Sequence, residues 1–478
     1  MPFKAVILWT DVVMWLLLLG LGAYIVQVRR NESLSATWRQ VFEVPAAMAS
    51  AVLLLAMLGL TLADSLHFRK ALPEISGGAQ AYDSRTSSVL DLALAKLVRQ
   101  RENSYSSPLA THGFVKESEV PKAGSKPRFD ENGMAMPPPR SFPRLRHGGA
   151  GLANVERDWA GDIAARLLMG VVSGAGLCTG LWLAWRKRFD VDKAPAWRAA
   201  WLSASALGLL LSLGVALSWG EGYHVLGTDQ TGNDVLYSAL KSVRTAFVIG
   251  SLATIATLPL ALTLGIAAGY FKGWVDDAIQ YLYTVLSSVP NILLIAACVL
   301  MVQVFLDKHT ELFETGLERA DLKVFLLCVI LGVTGWAGLC RLLRAETLKL
   351  RELEFVQAAT AFGAGPWRIM RRHILPNVMH LVLITTVIDF SSLILYEAVL
   401  SYVGVGVDPS MNSFGGMINL ARSEMSRDPT VWWSFASAFV FMVSIVLAAN
   451  LFADAVRDAF DPRARVQRPL KRLAAKPV

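Results

Sequence analysis

The sequence predicts an all-α, polytopic membrane helical bundle, and three observations predict it. Of 478 residues, 54% are hydrophobic and only 18% charged, with a mean hydropathy of +0.44, far more apolar than a water-soluble domain. Uninterrupted apolar runs of roughly 20 residues recur along the chain; each matches the thickness of a bilayer core, where only a helix satisfies its own backbone. Lys and Arg gather beside these runs, so the formal charge of +8 and the pI near 9.3 read as membrane topology rather than as nucleic-acid binding.

The first run, about residues 6–26, is too long for the apolar part of a secretion signal and lacks a small-x-small cleavage site, so it is expected to stay in the membrane. Further runs follow at about 45–63, 163–185, 197–219, 246–270, 278–305, 324–343, 379–403 and 431–453, giving nine expected spans. Arg29, Arg30 and Arg39 follow the first, Arg186, Lys187, Arg188 and Lys193 the third, and basic stretches the seventh and ninth. With nine spans all of these lie on one side, which the positive-inside bias makes cytoplasmic. The N-terminus is then periplasmic and the C-terminus cytoplasmic.

Between the second and third spans, residues 64–162 form a long external segment. Residues 87–101 carry spaced leucines among charges and predict an amphipathic helix, whereas 121–149 is rich in Pro, Gly and Arg and reads as flexible. The third span bears Gly170, Gly174, Gly176 and Gly180, spacing that lets another helix approach closely. Cys178, Cys298, Cys328 and Cys340 all fall in apolar runs without a C-x-x-C pair, so neither a disulfide framework nor a metal site is expected. His224 and His373 are each isolated from other ligand types. Trp432 and Trp433, at the start of the last span, read as interfacial anchors.

No Gly-Lys dipeptide occurs, so there is no P-loop to cradle nucleotide phosphates, and H-E-x-x-H and G-x-S-x-G are absent. The chain is expected to be neither an ATPase nor another enzyme, and to bind no cofactor itself.

Residues 354–377, EFVQAATAFGAGPWRIMRRHILPN, are too patterned for a passive connector. A helix bearing Ala358 and Ala359 is expected to stop at Gly363, a residue able to take φ > 0. Pro366 then starts a second helix, carrying Arg368, Arg371 and Arg372 and ending at Pro376. This stretch resembles the EAA loop of the membrane subunits of binding-protein-dependent ABC importers. Ala358, Ala359, Gly363, Leu375 and Pro376 match its spacing, with Gln357 where a glutamate is usual. HVLGTDQTGNDVL (224–236) is similar to the signature of the dipeptide/oligopeptide/nickel branch, through Gly227, Thr228, Asp229, Gly232 and Asp234, with Asn233 in place of arginine. EAVLSYVGVGVDPSMNSFGGMI (397–418) and NLFADAVRDAFDPR (450–463) resemble two further segments of that branch, in the same order.

The resemblance implies a six-span, MetI-like ABC-importer permease core over 197–463 with a coupling loop at 345–377. Two extra spans in 1–63, the external segment 64–162, a third extra span with its basic loop at 163–196 and a basic tail at 464–478 lie outside it. It implies a multi-pass subunit of the bacterial cytoplasmic (inner) membrane. Its partners would be ATPase subunits that use the ATP, a second homologous permease and a periplasmic or lipid-anchored substrate-binding protein; nucleic acid is not a partner. The transported solutes would be peptides or similar small molecules. Asp234 is also placed to cap the helix that follows it.

Asp389 and Glu397 lie within the eighth span, about 80° apart around a helix. Ionisable groups at bilayer depth are costly and usually functional, so both are candidates to line a translocation path and meet a cationic group. Two rival readings stand beside the importer: an ion-coupled secondary transporter using Asp389 and Glu397 as a proton relay, and a membrane scaffold whose function resides in the external segment.

Overall fold

A computed structural model describes residues 3–72, 82–118, 140–188, 195–220, 222–313 and 315–460. Most of the stretch read as flexible, Lys193 and the basic tail lie outside the described residues.

The chain opens with β1 (Phe3–Val6), α1 (Trp9–Arg30), the short α2 (Glu32–Phe42) and α3 (Pro45–Asp64). β2 (His67–Ala71) and β3 (Tyr82–Ser88) follow, giving an antiparallel sheet in the order β1-β2-β3, with Phe3 opposite Lys70 and Val6 opposite His67. The helix expected at 87–101 is two pieces, α4 (Val89–Ala93) and α5 (Ala95–Arg99). Strand β3 runs on to Ser88, whose side chain closes a capping box with Asp91 and so fixes where α4 begins. β4 (Glu117–Ser118) pairs with β5 (Arg140–Ser141).

Helices α6 (Val155–Arg188) and α7 (Pro195–Ser218) pack as a pair and reach the rest of the bundle mainly through α3. Two of the four glycines carry the contact between them. A Cβ at Gly170 would press on Leu213 at 2.9 Å and one at Gly174 on Leu209 at 2.7 Å, whereas Gly176 and Gly180 face open space.

The axis of the molecule is α8 (Val235–Phe271), followed by α9 (Gly273–Ser288), α10 (Asn291–Lys308), α11 (Gly316–Gly335), α12 (Ala337–Arg351), α13 (Glu354–Ala361), α14 (Pro366–Ile369), α15 (Leu375–Tyr402), α16 (Phe414–Glu424) and α17 (Trp433–Phe460). The run read as one span at 278–305 is broken into α9 and α10. Pro290 removes a backbone donor and pushes Val289 to extended geometry (φ −90°, ψ 134°), ending α9 within a still apolar sequence. Among the described residues, eight helices are long and apolar enough to cross a membrane; α11 and α12, bent by 41° at Trp336, together supply a ninth.

α3, α11, α12 and α15 all pack on α8, while α16 and α17 pack on α15. Two faces result. The sheet, residues 82–118 and 140–162 and the starts of α8 and α17 share one, since Trp433 at the head of α17 donates from Nε1 to the Thr228 carbonyl, 3.0 Å away. The α8 end, α13, α14, α2 and the α17 end share the other. There Arg351 donates to the Tyr270 carbonyl at 2.8 Å, and Trp38 of α2 stacks on Phe452 and meets Phe460 edge-on. Trp433, read as an interfacial anchor, is instead 1% exposed because the 102–118 segment covers it; Trp432 alone stays at the surface.

Candidate functional site

The hairpin between α12 and α15 is built from local rules. α13 stops in a Schellman closure: Gly363 takes φ +76° and donates to the Thr360 carbonyl, and Ala364 donates to the Ala359 carbonyl, both at 3.0 Å. Gly365 then takes the N-cap position and Pro366 starts α14, where a missing N–H costs least. The second helix does not end at Pro376. A π-turn over Met370–Ile374 lets Leu375 donate back to the Met370 carbonyl, and the chain continues directly into α15. Widening the turn accommodates a proline ring that would otherwise collide with the carbonyl four residues earlier.

Val356, Ile369, Met370 and Ile374 are buried in one cluster with Leu339, Cys340 and Leu343 of α12, and with residues of α8, α9 and α15. Gly265 and Gly269 let α12 lie directly on α8: a Cβ at Gly269 would meet Thr347 at 2.6 Å. A two-pronged ion pair, Arg344 Nε and Nη2 to Asp276 at 2.5 and 2.6 Å, ties α12 to α9. The hairpin is thus bolted to α8, α9 and α12 while its tip presents Phe362 (90% exposed) and Trp367 (76% exposed). Gln357 and Ala358 are exposed and Ala359 is half-buried against the cluster; Gln357 donates from Nε2 to the Glu352 carbonyl at 3.1 Å. Arg368, Arg371 and Arg372 line an open depression beside Trp367.

On the opposite face, the 224–234 turn holds its shape through Asp229, whose Oδ1 accepts from the Thr231 and Asn233 amides. Asp234 caps α8, its Oδ1 accepting from Leu236 at 2.8 Å and Tyr237 at 3.3 Å. Residues 102–106 cover this turn, which no local pattern in the chain indicates. Thr228 donates its amide to the Ser106 carbonyl and its hydroxyl to the Ser104 carbonyl, and Glu102 donates its amide to the Gly232 carbonyl. Gly227 (φ +73°) and Gly232 (φ +76°) lie so close to this segment that a Cβ on either would overlap the carbonyl oxygen of Ser106 or Glu102.

His224 is buried between two carboxylates, Asp234 Oδ2 at 2.8 Å and Glu102 Oε1 at 3.6 Å. Burial works against its charge, but the two carboxylates outweigh it and push the imidazole up to about 9. Burial likewise opposes ionisation of Glu102; His224 and the Arg146 and His147 amides outweigh it and hold the carboxyl below its ordinary value. The His224 contribution is complete below about pH 6.5 and is lost as pH rises through about 9; that of Glu102 is lost as pH falls through its lowered pKa. A tenfold gain in proton affinity on folding is worth about 1.4 kcal/mol, so the segment should loosen markedly above pH 9. Limited trypsin digestion of the detergent-solubilised protein should show cleavage within 99–146 accelerating between pH 7.5 and 9.5 relative to sites elsewhere, and His224→Gln should flatten that change. An unchanged ratio in the wild type would contradict it.

Two further charge clusters, also unforeseen, fasten the N-terminal helices to the core. Arg244 of α8, 4% exposed, pairs with Asp11 of α1 at 2.6 Å and lies 3.7 Å from Asp321 of α11. Asp11 also bonds His67 at 2.8 Å, and Thr10 donates its amide and hydroxyl to Asp321. One turn earlier on α8, Lys241 pairs with Asp64 at 2.7 Å and Asp91 at 2.9 Å. The one signal in the sequence was an acid, Asp11, inside an apolar run.

The structure does not bring Asp389 and Glu397 together. Glu397 is 1% exposed and accepts from Ser401 at 2.6 Å, from Ser413 and from the Gly415 amide, sealing it against α16. Asp389 is half-buried and has no hydrogen-bond or ion-pair partner among the described residues.

Residues 261–466 match the family described as the binding-protein-dependent transport system inner membrane component. The oligopeptide transport system permease protein OppC of Haemophilus influenzae is 30% identical over 245 residues, 51% of this chain and 72% of that protein. The glutathione transport system permease protein GsiD of Pectobacterium atrosepticum is 33% identical over 240 residues, 50% of this chain and 73% of its own. The chain belongs to this family of importer permeases. The family match begins in the second half of α8, so the permease carries the hairpin inside it and α1 to α7 before it. The charge clusters at Arg244 and Lys241 therefore join helices outside the match to the head of α8.

Proposed function

We propose that this permease is the membrane-spanning subunit of an ATP-driven importer for peptides or similar small solutes, working by alternating access. The hairpin carries the proposal. A short helical lever anchored in α8, α9 and α12, with Phe362 and Trp367 presented at its tip, suits docking in an apolar groove of a separate ATPase subunit. Closure of two ATPases on ATP would bring the hairpin of this chain towards that of a second homologous permease and open the spans outward; hydrolysis would reset them. ATP is then used by the partners, and this chain performs no catalysis and binds no cofactor.

In this reading the hairpin face and the C-terminus are cytoplasmic, the basic residues Arg29, Arg30 and Arg39 lie with them, and the multi-pass chain sits in the bacterial inner membrane. The sheet and residues 82–118 and 140–162 are then periplasmic, where a periplasmic or lipid-anchored substrate-binding protein would deliver the solute. Peptide transport is favoured by the names of the relatives, which include oligopeptide and dipeptide permeases. The proton-relay alternative has little to recommend it, since Glu397 is enclosed by α16 and separated from Asp389 by two turns.

Tagging the C-terminus, solubilising native membranes gently and identifying co-purifying chains by mass spectrometry tests the proposal. An ATPase and a second permease should be recovered with the wild type. Recovery of the chain alone, with uptake that follows the proton gradient, would overturn it.

A further inference from the structure

α15 carries an interruption in the apolar core. Val382 belongs to the cluster that anchors the hairpin, and Leu393 to the cluster formed with α10 and α11. Between them, on the same side of the helix, stand Thr386 and Asp389. The Thr386 hydroxyl is buried without a hydrogen-bond partner, and the Asp389 carboxyl, one turn on, has none among the described residues. By contrast, the hydroxyls of Thr254, Thr257 and Thr263 of α8 and of Thr385 of α15 each bond back to their own helix.

The level of this interruption follows from packing. α8 and α15 run in opposite directions, and Gly250 faces Phe390 and Ile394. Counting from that contact sets Thr386 and Asp389 beside the stretch of α8 holding the buried Thr254 and Thr257. Asp389 is fourteen positions from Leu375 and thirteen from Tyr402, about 20 Å from either end of α15. A carboxylate at that depth is strongly disfavoured unless it meets a cation or a proton. Cations on α8 and α11 are occupied elsewhere, Lys241 with Asp64 and Asp91, Arg244 with Asp11 and Lys323 with Gln303.

No partner for it remains among the described residues. The outward stripe of α15, which a lipid or a second subunit would cover, consists of Ile388, Leu395, Val399 and Tyr402, each about two-fifths exposed. Asp389 lies off that stripe, about 100° round the helix from Ile388, towards the interior of the bundle. We propose that Asp389, with the Thr386 hydroxyl beside it, receives the positively charged ammonium group of the solute midway through the membrane. The inference rests on the importer reading and gives it a substrate class: solutes carrying a primary ammonium, as a peptide with a free amino terminus does. Thr386 supplies a neutral oxygen acceptor one turn from the carboxylate, which suits the several N–H donors of an ammonium group.

The test uses the complete importer, purified with its partners and reconstituted in liposomes, and two labelled probes, trialanine and N-acetyl-trialanine. Asp389→Asn should lower ATP-driven trialanine uptake tenfold or more, change N-acetyl-trialanine uptake less than twofold, and leave the recovered partners unchanged. Asp389→Glu should restore at least a third of the trialanine rate. A readout that needs no uptake is carbodiimide labelling of Asp389 in the purified complex, which millimolar trialanine should slow at least threefold and the acetylated probe should not. Equal losses for both probes, unchanged trialanine uptake in Asp389→Asn, labelling insensitive to trialanine, or loss of the second permease from the variant complex would each overturn the proposal. Wild-type trialanine uptake that persists without ATP would instead overturn the importer reading, and this inference with it.

Discussion

Ala359→Glu and Gly363→Pro should each lower solute uptake tenfold or more while the chain remains inserted and the ATPase subunits remain active. Ala359 is half-buried against the cluster that seats the hairpin, so a glutamate there must either bury a charge or lift α13 away from α12. Gly363 sits at φ +76° and donates its amide to Thr360. Proline, with φ fixed near −65° and no amide hydrogen, supports neither. In both variants the lever loses rigidity at its tip while the transmembrane helices keep their packing. The measurement is solute accumulated per ATP hydrolysed in proteoliposomes; an unchanged ratio in both variants would remove the hairpin from the coupling mechanism.

Arg244→Leu should be the most destabilising single substitution at the junction between the N-terminal helices and α8. It strands Asp11 (3% exposed) and Asp321 (fully buried), and removing one partner of a buried charge cluster costs about 3–5 kcal/mol. Thermal unfolding in detergent should shift down accordingly, with α1 and the sheet becoming accessible to protease first. Replacing Asp11, Arg244 and Asp321 together by leucine should recover most of the loss, since a well-packed apolar set of similar volume tolerates burial that lone charges do not. A single variant as stable as the wild type would show that the cluster carries no weight in docking the added helices.

The parts legible in the sequence are those governed by local chemistry. Hydropathy located the long helices, and Gly363, Pro366 and Asp234 announced a helix stop, a helix start and a cap within a few residues of where the chain makes them. Pro290 shows the limit: its neighbours on both sides are apolar enough for one continuous span, and only the backbone reveals the break. β1 was hidden for a similar reason, because Phe3 to Val6 runs into the first apolar stretch and its partner strand lies some sixty residues on. Beyond the lone acid Asp11 in an apolar run, the charge clusters could not be read. Asp11 and Arg244 are 233 positions apart and Thr10 and Asp321 311, and no local pattern encodes such a pairing. At the candidate site, local pattern together with the family resemblance pointed to the hairpin. The pairing of Arg344 with Asp276 and the cover over Gly227 and Gly232 depend on which helices become neighbours.

Pairing over such distances also orders events while the chain is being made. Asp11 enters the bilayer with α1, long before α8 has been synthesised; until then His67, on the strand after α3, is a partner of its carboxylate already within the emerging chain. When Arg244 arrives it meets a preformed acid, and α11 brings Asp321 to close the set last. The N-terminal helices thus offer α8 a receiving dock: a chain in which Asp11 is lost must insert Arg244 without its direct ion-pair partner, with only the more distant Asp64 of α3 already in place.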